Sequence, residues 1–154
     1  MPPNVPSRFS DKIKHMNDDK RLKVYCDGGS RGNPGPAASG VVFINQEGVV
    51  VGEYSEYLGV TTNNQAEYRA VLLALKKLEE QGVLAADFYL DSELVTKQIK
   101  GEYRMKNPDL RPIYEQIKQY EGKMQLSFTH VRREYNKLAD AQVNKCLDQY
   151  STKG

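Results

Sequence analysis

Tryptophan is absent, and cysteine and histidine occur only twice each. With so few soft donors, a zinc ribbon or any other multi-cysteine metal cage is excluded. Cys26 and Cys146 lie far apart and match no metal-ligand spacing, so they are expected as small buried hydrophobes in a reducing compartment rather than as a disulfide. No apolar run approaches the ~18 residues that a membrane helix needs. The first residues are Pro-rich and charged without an apolar stretch, which argues against a secretory signal. A cytoplasmic location, no membrane partner and a monomer are the expectations. Charge of one sign is also lacking: the formal net charge is +2. A polyanionic partner would therefore have to be held by local patches, because the whole-molecule field is weak.

What is present is a soluble globular profile, 39% hydrophobic and 27% charged over 154 residues, enough for one domain with its own core. Residues 1–20 are polar, contain three prolines and show no sustained period. They read as a flexible N-terminal tail with a short helical turn near 11–16. The domain is expected over 21–150, with 151–154 as a C-terminal tail. LKVYCD (22–27) reads as a strand and GGSRGNPGPA (28–37) as a turn-rich loop. SGVVFIN (39–45) and VVVGEYSEYL (49–58) read as an antiparallel hairpin. A helix follows over 63–81, stopped by Gly82. Then come a strand at 87–92, a short helix at 93–100, a helix at 108–121, a strand at 125–131 and a closing helix at 136–150. The order βββαβααβα is an α/β layer architecture with a five-stranded mixed sheet, its first three strands antiparallel.

Four carboxylates occupy places that folding alone would not choose. Asp27 ends the first strand in VYCD, and Asp91 ends the fourth in FYLD. Acids at the ends of neighbouring parallel strands lie where α/β sheets usually bind ligands. Glu67 is in helical phase with Val71, Ala74 and Leu78, and Asp140 with Val143 and Leu147, so both fall on stripes that face the sheet. Buried acids are costly unless something cationic meets them, and no Lys or Arg shares those stripes. Each has a plainer reading alone: a turn residue for Asp27, a first-turn acid complementing the helix dipole for Asp140. Together they point to a divalent cation. All-oxygen donors favour Mg²⁺ or Mn²⁺ over zinc, and two such ions would suit phosphodiester hydrolysis.

At these residues the chain resembles ribonuclease H type 1. DGGSRGNPGPAASG (27–40) is similar to that family's first-strand loop, TTNNQAE (61–67) to the entry of its first helix, DSELV (91–95) to its fourth-strand segment and ADAQVN (139–144) to its closing helix. The resemblance covers about 21–150. It implies a ribonuclease H-like fold and an endonuclease that cuts the RNA strand of RNA–DNA hybrids, with two Mg²⁺ ions (Mn²⁺ able to substitute) held by Asp27, Glu67, Asp91 and Asp140. It also implies substrate contacts. Gly28, Gly29 and Ser30 let backbone approach a minor groove where 2′-hydroxyls are displayed. Asn63, Asn64 and Gln65 reach bases and 2′-hydroxyls, Asn33 and Thr62 hold a DNA phosphate, and Ser92 follows the third acid.

Two departures stand out. The basic, Trp-rich insertion of some members is replaced by the compact KGEYRMKNPDLRP (100–112), so this is a short form. Lys97, Lys100, Arg104, Lys106 and Arg111 form either a reduced basic patch or a solvated face. The loop before the fourth acid is also short. His130, Arg133 and Glu134 are its auxiliary candidates, and Arg132 and Arg133 equally suit phosphate. The Gly-rich segment lacks the Gly-Lys-Ser/Thr ending of a nucleotide phosphate loop. Two other functions remain open: a non-catalytic hybrid-binding module, and a related nuclease acting on double-stranded RNA or branched DNA.

Overall fold

Strand alternation builds the frame. In the computed structural model, which describes residues 21–153, five strands form one sheet: β1 (Leu22–Ser30), β2 (Gly35–Ile44), β3 (Val50–Thr61), β4 (Ala85–Leu90) and β5 (Gln125–His130). Their spatial order is β3-β2-β1-β4-β5. The first three pair antiparallel, while β4 runs parallel to both β1 and β5. The helices are α1 (Asn63–Glu80), α2 (Glu93–Ile99), α3 (Arg111–Glu121) and α4 (Lys137–Lys153), with a 3₁₀ turn at Arg133–Tyr135. This is the expected five-stranded mixed sheet in the expected order. The expected tail at 1–20 lies outside the described residues. No helix among the described residues is long and apolar enough to cross a membrane.

Two cores follow from the two faces of the sheet. Val24, Cys26, Val41, Phe43, Phe88 and Leu90 pack with Val71, Leu75 and Leu78 of α1, Val95 and Ile99 of α2, and Ile113 and Ile117 of α3. The alternate face carries Ala38, which packs with Val143, Cys146 and Leu147 of α4. Both cysteines are free and buried, one in each core, so the expectation for them holds. Thr62 caps α1 by accepting from the Gln65 N–H at 3.2 Å. Gly82, at φ 70°, ends that helix in the left-handed conformation that favours glycine.

Several boundaries move. Asp27 does not end β1: the strand runs on, and Gly28, Gly29 and Ser30 pair with Ser39, Ala38 and Ala37. The loop expected at 28–37 therefore shrinks to four residues, 31–34. Its glycines are not all turn residues. A Cβ on Gly28 would lie 2.2 Å from the Ala66 carbonyl carbon and 2.3 Å from the Glu67 nitrogen, so Gly28 is the place where α1 backbone touches β1. Gly40 does the same for α4, 2.6 Å from the Ala139 oxygen. Helix α3 begins at Arg111 instead of 108, because Pro112 lacks an N–H and suits only a first turn. Before it, the Asn107 side chain accepts from the Asp109 N–H at 2.8 Å and forms a separate turn. Helix α4 continues three residues beyond its expected end at 150.

Neighbouring glycines test this reading. Gly28→Ala should lose at least about 3 kcal/mol of stability, because the clash is with backbone that cannot rotate away. In Gly29→Ala the new methyl meets only Val143 Cγ1, at 3.6 Å, and stability should change by less than about 1 kcal/mol. Urea denaturation of the two variants separates them; equal losses would remove the close-contact role from Gly28.

Candidate active site

Parallel pairing between β1 and β4 ends at Cys26 and Leu90, so Asp27 and Asp91 are the next residues on adjacent strands. Glu67 arrives on the first turns of α1 and Asp140 on the first turn of α4. All four line one open cleft of about 250 Å³, together with Gly28, Gly29, Ser30, Asn63 and Arg133. The two helical stripes are as expected: Val71, Ala74 and Leu78 are fully buried, and Val143 and Leu147 nearly so.

Burial and mutual repulsion dominate the electrostatics. Burial foremost, then the charge of Asp91 and a hydrogen bond and charge from Asp140, push Asp27 up to about 8. Burial pushes Glu67 up to about 7, opposed by a hydrogen bond from Ser92 and the charge of Arg133. Arg133 is thus a cationic neighbour that the helix stripes do not contain. Even so, Glu67 Oε2 is buried with no hydrogen-bond partner. That orphaned oxygen and three further carboxylates, with no histidine or cysteine among the described residues lining the cleft, fit a hard divalent cation. As the side chains stand, no group of three or more His, Cys, Asp or Glu among the described residues has ligating geometry.

The other expected residues divide. Asn63 Oδ1 accepts from the Ser30 N–H at 2.8 Å and the Ser30 hydroxyl at 2.9 Å, and the Asn63 N–H donates to Asn33 Oδ1 at 3.1 Å. These three residues tie the end of β1 to the start of α1. Ser92 caps α2, accepting from the Val95 N–H at 3.2 Å. Thr62 and Gln65 do not line the cleft. They border a neighbouring depression of about 500 Å³ with Arg69 and Asn107, and Gln65 Nε2 donates to the Asp109 carbonyl at 2.9 Å. Asn64 is half-buried beside them. Of the auxiliary candidates only Arg133 reaches the cleft. His130 is exposed at the end of β5, where strand pairing opposite Leu90 fixes it. Glu134 pairs with Arg132 at 3.7 Å.

Two residues escaped the sequence reading. Asn136 is 1% exposed, and its Nδ2 donates to the Cys26 carbonyl at 2.8 Å and to Asp91 Oδ2 at 3.0 Å. An asparagine just before a helix reads as an ordinary cap, and nothing in its spacing marked it. Asn144 was also missed; its Nδ2 donates to Asp140 Oδ2 at 3.3 Å.

Comparison with known proteins places the chain in a family. A family described as reverse transcriptase-like matches residues 25–146. Ribonuclease HI of Halobacterium salinarum is 42% identical over 129 residues, covering 83% of this chain. A crystal structure of RNase H1 from the same archaeon superposes with a TM-score of 0.81 at 41% identity, over 84% of this chain and 98% of that one. The chain belongs to the ribonuclease HI family. The structure of LC11-RNase H1 in complex with an RNA/DNA hybrid superposes with a TM-score of 0.80 at 38% identity, over 84% of this chain and 98% of that one. The chain spans 65% of the length of the Halobacterium relative, slightly under two thirds.

Within this member of the ribonuclease HI family, several cations of the segment between β4 and α3 are already engaged. Lys97 is paired with Glu93 at 2.8 Å, and Lys100 lies 3.9 Å from Glu102. Arg104, Lys106 and Arg111 gather with Tyr103 and Tyr114 around an open depression of about 570 Å³. Arg111 is itself engaged, 3.9 Å from Glu115 and donating to the Met105 carbonyl at 2.6 Å.

The raised Asp27 carboxyl has a direct consequence without divalent cations. Its folded-state value, about 8, lies above the ordinary 3.8. The stability it contributes is complete below about pH 4 and is lost as pH climbs through about 8. Asp27→Asn cannot ionise, so it should match the wild type near pH 4 and exceed it by at least about 1 kcal/mol near pH 9, the worth of one pKa unit. Thermal denaturation in chelator across that range measures the difference; a gap that stays flat with pH would contradict the crowding of Asp27.

Proposed function

We propose that this chain is an endonuclease hydrolysing the RNA strand of RNA–DNA hybrids with two Mg²⁺ ions, for which Mn²⁺ can substitute. The observation that carries the reading is the convergence of Asp27, Glu67, Asp91 and Asp140 in one open cleft, in a chain whose relative LC11-RNase H1 has been solved with an RNA/DNA hybrid. These four carboxylates would hold the ions. When bound, such ions supply an activated water and charge stabilisation for the leaving oxygen of a phosphodiester.

The protein's own residues do the positioning. Ser92 orients the Glu67 carboxylate, and Arg133 offsets part of its charge. The Ser30–Asn63–Asn33 bonds hold the wall on which the sugar–phosphate backbone would rest. Gly29 offers backbone with no side chain in the way of a minor groove. Asn33 Oδ1 is occupied by the Asn63 N–H, which leaves the Asn33 amide N–H₂ as a donor for a DNA phosphate beside Thr62. Arg104, Lys106 and Arg111 would add a few phosphate contacts farther along the duplex. Location in the cytoplasm and action as a monomer belong to the same proposal.

A cleavage assay in Mg²⁺ with hybrid, double-stranded RNA and branched DNA tests it. The RNA of the hybrid should be cut, and a single ribonucleotide within DNA should be a poor substrate, because one 2′-hydroxyl cannot satisfy the whole recognition track. Asp27→Asn should lose about 10³-fold or more while staying folded, as expected when one member of a catalytic set is removed. Binding of hybrid without cleavage would favour a non-catalytic module, and preference for branched DNA a different nuclease.

A further inference from the structure

We propose that Asn136 is a positioning residue for the carboxylate set: its side-chain amide locks the Asp91 carboxylate to the backbone of β1 and so sets where Asp91 stands relative to Asp27. The inference rests on the cleavage reading above. Asn136 donates from a single nitrogen to two acceptors, the Cys26 carbonyl and Asp91 Oδ2. Cys26 immediately precedes Asp27, and the two strands stop pairing at Cys26 and Leu90. The amide thus bridges the strands one step beyond their last register pair, where Asp27 and Asp91 emerge. Its orientation is dictated by chemistry, since a carbonyl and a carboxylate both demand N–H and only the NH₂ end provides two.

Helix capping does not account for the residue. An asparagine at that position ordinarily accepts from the first-turn N–H groups through Oδ1. Here Oδ1 is buried with no partner, and it is the backbone carbonyl of Asn136 that accepts from the Asp140 N–H, at 3.1 Å. The side chain forgoes a cap and leaves a buried acceptor unmet, a costly arrangement, in order to hold Asp91. The same residue therefore bonds to Asp91 itself, to the backbone carbonyl next to Asp27 and to the backbone N–H of Asp140. It touches no position where substrate would lie, so its effect must pass through the acids.

Asn136→Asp is the informative variant. It is nearly isosteric and keeps a strong capping side chain, so a residue that merely starts α4 would tolerate it. It also turns a donor pair into a carboxylate facing Cys26 O and Asp91. With circular dichroism showing a folded chain, kcat on a hybrid should fall about 10–100-fold, and Mg²⁺ affinity of the protein alone, by calorimetry, should weaken about 10-fold or more. KM should stay within about twofold, since ground-state substrate contacts are untouched. If the Asp variant does not fold, Asn136→Ala decides, with the same split between kcat and KM expected. A folded variant that keeps kcat and Mg²⁺ affinity within about threefold, or loses only KM, overturns the proposal, as does failure of both variants to fold. A wild type that cuts no hybrid would sink the cleavage reading instead, while the Mg²⁺ affinities still judge Asn136.

Discussion

Carboxylates held side by side in a half-buried cleft repel one another, and the backbone around them must be stiff enough to resist. Burial, the charge of Asp91 and a hydrogen bond and charge from Asp140 raise Asp27, and Glu67 is raised chiefly by burial close by. Left to relax, such a cluster would splay apart. Here it is pinned from beneath by two glycine contacts. Gly28 lets α1 backbone rest on β1 and so delivers Glu67, while Gly40 lets α4 rest on β2 and so delivers Asp140. Asp27 and Asp91 need no such device, because the parallel β1–β4 ladder fixes both. The fold thus holds these like charges together against their repulsion.

That constraint explains where polar side chains are spent. Asn63 is committed to Ser30, Ser92 leans towards Glu67, Asn144 reaches Asp140 and Asn136 reaches Asp91. Each acid except Asp27 has a neutral donor at hand, and Asp27 has the backbone of Gly28. Among the oxygens of the four acids, Glu67 Oε2 is buried and unmet. The divalent cation proposed above would give that oxygen a partner that packing does not.

Much of this was legible in the residues. The twin segments VYCD and FYLD placed two acids on neighbouring strands, and the phase of Glu67 with Val71 and of Asp140 with Val143 placed two more on core-facing stripes. The illegible parts share a cause: residue types with two common uses. Gly28 and Gly29 read as a turn, yet both lie in strand, and only three-dimensional packing reveals that Gly28 is a helix seat. Asn136 read as a helix start, since which side-chain atom bonds to what is invisible in sequence. Pro108 read as the first residue of a helix, but Pro112 and the Asn107 turn move the start to Arg111. His130 could be placed at the strand end, whereas the position of Arg133 in the cleft depends on a 3₁₀ turn that shows no period.

The central claim is that the acid cleft exists to take up divalent cations. Thermal denaturation of the wild type and Asp27→Asn as Mg²⁺ is raised at constant ionic strength, with no nucleic acid present, tests it most directly. A cation that binds only the folded state at a hundredfold excess over its Kd contributes about 2.7 kcal/mol, a rise of several degrees for a chain of this size. The account predicts that rise for the wild type, with Mn²⁺ acting likewise, and little or none for Asp27→Asn. Equal rises in both proteins, or no rise in either, would contradict it.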